Sequence, residues 1–86
     1  MVEMMADVSA CGALMPDFDT KHGAAVEQWN RANAASLARY RNDDGALSRA
    51  SAREAEQRER LEAESSPNAI AVHCERVAHR LRTGAK

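Results

Sequence analysis

Apolar residues recur along the chain at the three- and four-residue spacing of a helix, in four segments separated by strong breakers. Met4, Val8, Cys11 and Met15 make the first stripe, which predicts a short helix over about residues 3–15 that Pro16 terminates. Gly12 weakens that helix by about 1 kcal/mol relative to Ala. Residues 16–22 read as a turn anchored by Phe18, with Asp19 or Thr20 placed to cap the next helix.

From 23 to 41 the positions Val26, Trp29, Asn33, Leu37 and Tyr40 step by three and four residues, predicting one helix of about five turns with an aromatic-rich stripe. Asn33 is the polar exception in that stripe. It either sits at a wet edge, the reading favoured here, or fixes register between packed helices. The run Asn42-Asp43-Asp44-Gly45 breaks the chain, and Asp43 or Asp44 suits the cap of a third helix over about 46–64. There Leu47 and Leu61 are the only large apolar residues. Helix formation rests on Ala, Arg and Glu propensity and on the i,i+4 pairs Glu54–Arg58 and Glu56–Arg60, so the helix is expected to be largely exposed. Ala50 and Ala55 would let another helix approach closely.

Ser65-Ser66-Pro67 is the cleanest boundary in the chain, a serine cap followed by proline at the first helical position. Ile70, Cys74, Val77 and Leu81 then mark the core side of a fourth helix over about 67–83, and Gly84 is placed to end it. On its other side run His73, Arg76 and Arg80. The fold class is therefore all-α: a single domain over residues 1–86 built as a three- or four-helix unit, a helical hairpin plus a C-terminal amphipathic helix.

Composition sharpens this picture on one point. Five Leu, five Val, one Ile and one Phe in 86 residues fall below the share at which a self-sufficient core is secure, and much of the hydrophobic content is Ala. A chain with strong helices and a meagre core is expected to complete that core on a partner or on a second copy of itself.

The net charge of -1 conceals an asymmetry. Residues 1–20 carry Glu3, Asp7, Asp17 and Asp19 and no Lys or Arg, whereas residues 73–86 carry Arg76, Arg80, Arg82 and Lys86 against Glu75 alone. Such polarity favours antiparallel packing of the two ends, within one chain or between copies; the plainer alternative is two solvated faces.

No apolar run approaches the length needed to span a bilayer, so a membrane location is not expected. Val8-Ser9-Ala10-Cys11-Gly12 resembles a lipoprotein cleavage box, but Met1–Asp7 lacks the basic start and apolar stretch such a signal requires. Two cysteines at apolar helical positions read as free, buried thiols, and with no signal peptide the expected location is the cytoplasm.

Chemistry-bearing constellations are absent from the sequence pattern. Cys74 has no general base facing it; His73, Cys74 and His79 fall on different helical faces; the paired Asp residues sit in capping turns; and there is no Gly-rich phosphate loop. No enzyme activity, metal or cofactor is expected. What remains is binding. The leading expectation is a non-enzymatic protein–protein interaction module that occupies a partner surface, with Trp29, Tyr40 and the stripe through Val77 and Leu81 as anchors and His73, Arg76, Arg80 and Arg82 as contact residues. In size and style, without a shared motif, it resembles phage- or plasmid-encoded inhibitors, anti-CRISPR proteins among them. The alternatives are a nucleic-acid-binding accessory protein using Arg76, Arg80, Arg82 and Lys86, and a homo-oligomeric structural protein.

Overall fold

The structure, a computed structural model, describes residues 1–64 and 66–84. It comprises α1 (Val2–Leu14), α2 (Phe18–Ala32), α3 (Ala34–Arg41), α4 (Asp44–Glu64) and α5 (Pro67–Thr83), with no strand among the described residues. The all-α expectation is met. The expected roles of Ser65 in capping and of Lys86 in contacting nucleic acid lie outside the described residues.

Local chemistry explains the later boundaries. Asp43 Oδ1 accepts from Ala46 N at 3.1 Å and caps α4. Ser66 Oγ accepts from Ala69 N at 3.3 Å, Pro67 opens α5, and Gly84 closes it at φ 74°, a left-handed conformation suited to glycine. The exposed α4 carries the Glu54–Arg58 pair at 3.7 Å.

α1 and α4 begin within two residues of the expected positions, whereas two boundaries differ by more. The turn before the second helix is confined to Met15–Asp17, because Phe18 already begins α2 and is buried in the core. Neither Asp19 nor Thr20 is therefore a cap. The stripe from Val26 to Tyr40 is also not one helix. It breaks at Asn33, which ends α2 and precedes α3 with φ -115° and ψ 26°. Asn33 is not at a wet edge: it is buried, and its side-chain Nδ2 donates to the Trp29 carbonyl at 2.9 Å, beside the 3.0 Å bond from its own backbone N. Both Asn33 donors converge on that one carbonyl at the end of α2 and hold the break in place.

The larger surprise is α1. A single apolar stripe would leave half of it in water, yet Met4, Ala6, Asp7, Ala10 and Cys11 are all buried. The helix lies between α4 and α5, its principal neighbours. Ala6 and Ala10 face inward, as do Ala46 and Ala50 of α4, and these small side chains permit close backbone approach. The two helices run parallel: Met1 and Val2 lie beside Asp43 and Ala46, while Asp7 reaches Gln57. Against α5 the direction reverses, with Asp7 meeting Arg80 and Cys11 meeting Cys74. The antiparallel pairing of acidic start and basic end is thus realised within one chain. The core gathers Met4, Cys11, Phe18, Trp29, Cys74, Val77, Ala78 and Leu81, with Val8, Met15, Val26 and Ile70 packed at its edge.

The cysteines overturn the expectation of free thiols. Cys11 and Cys74 form a disulfide, their Cα atoms 5.7 Å apart across 63 residues of sequence. Two cysteines on the inward stripes of helices that pack antiparallel are brought within bonding range by the packing itself. No described helix is long and apolar enough to cross a membrane.

Candidate interaction face

Helix α5 is fixed from three directions, and those attachments decide which of its side chains remain outward. Below it lies the disulfide to α1. On the α1–α4 side, Arg80 Nη2 donates to Asp7 Oδ2, and Gln57 Nε2 donates to Asp7 Oδ1 at 2.5 Å. The Asp7 side chain is almost wholly buried while that of Arg80 is 39% exposed, so Arg80 reaches inward from the rim and satisfies a charge that would otherwise be stranded.

On the α2 side the central group is His22, which is buried against the Phe18 ring with centroids 5.1 Å apart. Arg82 Nη2 lies 2.6 Å from His22 Nδ1, and Glu75 Oε1 lies 3.3 Å from His22 Nε2. A guanidinium can only donate, so Nδ1 must accept; Nε2 then carries the proton and donates to Glu75. This assigns a neutral ring in a single tautomer, held between a cation and an anion of the same helix. Lys21 adds a 3.6 Å contact to Glu75.

His73 lies on the flank near Arg80. Burial lowers its pKa below 6.5; Asp7 pulls it upward, and Arg80, Arg60 and Arg76 push it down. Its buried Nε2 makes no hydrogen bond, and neither does the buried Oε1 of Gln57.

The outward surface of α5 is left with Val72, Arg76 and His79, around an open concavity of about 720 Å³ that Ala71 and the flanks of His73, Glu75 and Arg80 also line. Val72 is 45% exposed. Arg76 and His79 are exposed, and Arg76 forms no ion pair among the described residues.

The residues singled out from sequence therefore occupy different situations. Trp29, Val77 and Leu81 are buried in the core and cannot anchor a partner, and Tyr40 is half-buried beside Met5, Leu47 and Ala50. None of these four lines the outward concavity of α5. Arg80 and Arg82 are on α5 but engaged by Asp7 and His22, and His73 is partly covered; Arg76 alone of these residues is exposed and uncommitted.

Sequence reasoning named Asp7 only as one of the acidic residues at the chain start and passed over His22, Gln57 and Val72. Signals for three of them exist. Asp7 falls on the Met4–Cys11 stripe, and His22 follows Phe18 by four and precedes Trp29 by seven. Val72 is the large apolar residue of α5 that misses its core stripe. Gln57 stands in a charged helix with no such mark.

Among the described residues no group of three or more His, Cys, Asp or Glu side chains is placed to hold a metal ion. Comparison of the chain with protein families, with curated proteins and with solved structures yields no match.

Proposed function

We propose that this is a non-enzymatic interaction protein that presents the outward face of α5 to an acidic surface of a protein partner. One observation carries the reading: a half-exposed valine, Val72, lines one outward concavity with the exposed side chains of Arg76 and His79, on a helix tied to α1 by the disulfide and the Arg80–Asp7 contact and to α2 through His22. An apolar contact beside an exposed, unpaired guanidinium suits an apolar residue flanked by a carboxylate, and the fixed helix adds little ordering cost on association. Blocking a partner's surface is how a small inhibitor acts, so the phage- or plasmid-borne inhibitor is one form of the same proposal.

The expected cytoplasmic location, drawn from the lack of a signal peptide, goes with reduced thiols. A formed disulfide favours an oxidising setting instead.

The nucleic-acid alternative draws on fewer free cations than the sequence promised. Arg80 and Arg82 each have a partner within the fold, which leaves Arg76 and His79 as the outward basic groups of α5. Few phosphate contacts mean weak binding with a shallow salt dependence.

The test uses Val72→Asp combined with Arg76→Glu, both outward, and leaves Arg80 intact because a carboxylate there would face Asp7. Immobilised wild-type and variant protein are exposed to extract of the native host. A protein held by the wild type, released by salt and lost with the variant supports the reading. Equal capture by both, or wild-type binding to a duplex oligonucleotide at low salt that the variant loses, overturns it.

A further inference from the structure

We propose that the Cys11–Cys74 bond is a folding switch: the disulfide form holds α5 against α1, and the dithiol form releases it. The core explains why one bond has such leverage. Among the described residues, five of the buried apolar side chains are Ala and two are the cysteines themselves, which leaves Met4, Phe18, Trp29, Leu37, Val77 and Leu81 as the larger buried groups. Closing a sequence separation of 63 residues removes enough freedom from the unfolded chain to shift the folding equilibrium by roughly a thousandfold in the chain-entropy account. That factor is comparable with the whole folding constant of a marginal domain of this size.

The native side contributes as well. Cys11 and Cys74 are 0% and 1% exposed in the cluster that holds Trp29 and Phe18. Two sulfurs that are no longer bonded must move apart to van der Waals contact, which forces the two helices to shift at the centre of a tightly filled core. The Arg80–Asp7 contact spans the same α1–α5 seam and depends on the same alignment. Loss of the bond therefore loosens the polar tie too.

Oxidation removes two protons and two electrons from the paired thiols and passes them to a small-molecule or protein disulfide, which leaves as two thiols. Reduction is the reverse, beginning with attack of a thiolate on one sulfur while the other departs as thiolate. Because both sulfurs are buried, a reductant reaches them only when the seam opens. Reduction of the native protein is then limited by opening and becomes independent of reductant concentration at high concentration.

The experiment compares protein isolated without reductant, the same protein treated with tris(2-carboxyethyl)phosphine, and the variant Cys11→Ala/Cys74→Ala. Free thiols are counted by alkylation and mass spectrometry, melting is followed by circular dichroism, and core integrity is read from Trp29 emission. The expected result is no alkylation before reduction and a fall in Tm of about 20 °C on reduction. Trp29 emission moves to the red at 37 °C and recovers on addition of oxidised glutathione. The double variant matches the reduced wild type and does not respond to reductant, whether it is loosely folded or unfolded. Free thiols in the untreated protein overturn the proposal. So does a reduced protein, or a double variant, that melts within about 5 °C of the oxidised form.

Discussion

Asp7 and Arg80, 73 residues apart in sequence, meet on the flank of α5, with Gln57 holding the second oxygen of the same carboxylate. Three helices are joined at one buried anion. The acidic first helix and the basic last one are thereby joined by charge as well as by the disulfide.

The two arginines of α5 that look alike in sequence should consequently behave differently. Arg80→Ala leaves the Asp7 carboxylate buried with one neutral donor and is expected to destabilise the fold by about 3 kcal/mol. Arg76→Ala removes an exposed, unpaired side chain and should stay within about 0.5 kcal/mol of the wild type. Urea unfolding at neutral pH measures both. Equal costs for the two would mean that the Asp7 contact contributes nothing to the fold.

Asn33 offers a direct contest between pattern and structure. If residues 23–41 were one amphipathic helix, Asn33→Leu would complete its apolar stripe and stabilise the protein. With Asn33 closing α2 through its bond to the Trp29 carbonyl, the same substitution removes that bond and is expected to cost about 1 kcal/mol. A rise in the urea midpoint of Asn33→Leu would contradict the break.

These cases show where the sequence was informative. The last helix was legible end to end, because its cap, its proline, its stripe and its terminal glycine all favour the same segment. The Asp43 cap and the exposed character of α4 were legible for the same reason. The break at Asn33 was not, since its spacing fits an uninterrupted helix, and an asparagine there can equally face water or turn its amide back to the carbonyl four residues before it. Burial of α1 on several sides was hidden by alanine, which reads as helix propensity and becomes core only when another helix presents alanine in return. The outward face of α5 was half legible. Its basic residues were visible, but which of them are consumed within the fold depends on Asp7 and His22, placed by two other helices.

The arrangement around His22 makes a prediction that requires no mutation. Arg82 donates to Nδ1, so the ring proton must reside on Nε2, directed to Glu75. Long-range ¹H–¹⁵N NMR at pH 7.5 should show a neutral imidazole with an unprotonated Nδ1. A ring protonated on Nδ1 would place two donors face to face with Arg82 and is incompatible with the described contacts.

His73 sets the direction of the acid response. Its pKa in the folded protein lies below 6.5, chiefly because burial disfavours the charged ring, whereas in the unfolded chain it returns to the ordinary value. Between these two values the unfolded state holds more protons than the native state, and stability rises with pH there. The contribution is complete above pH 6.5, is lost as the pH falls through that value towards the folded pKa, and changes no further below it. His73→Gln, which keeps a polar side chain and cannot titrate, should reduce the loss of stability between pH 7.5 and pH 5 relative to the wild type. Urea unfolding of both proteins at the two pH values measures the difference. An equal loss in both would show that His73 is solvated in the folded protein and that burial at the α5 flank does not govern its charge.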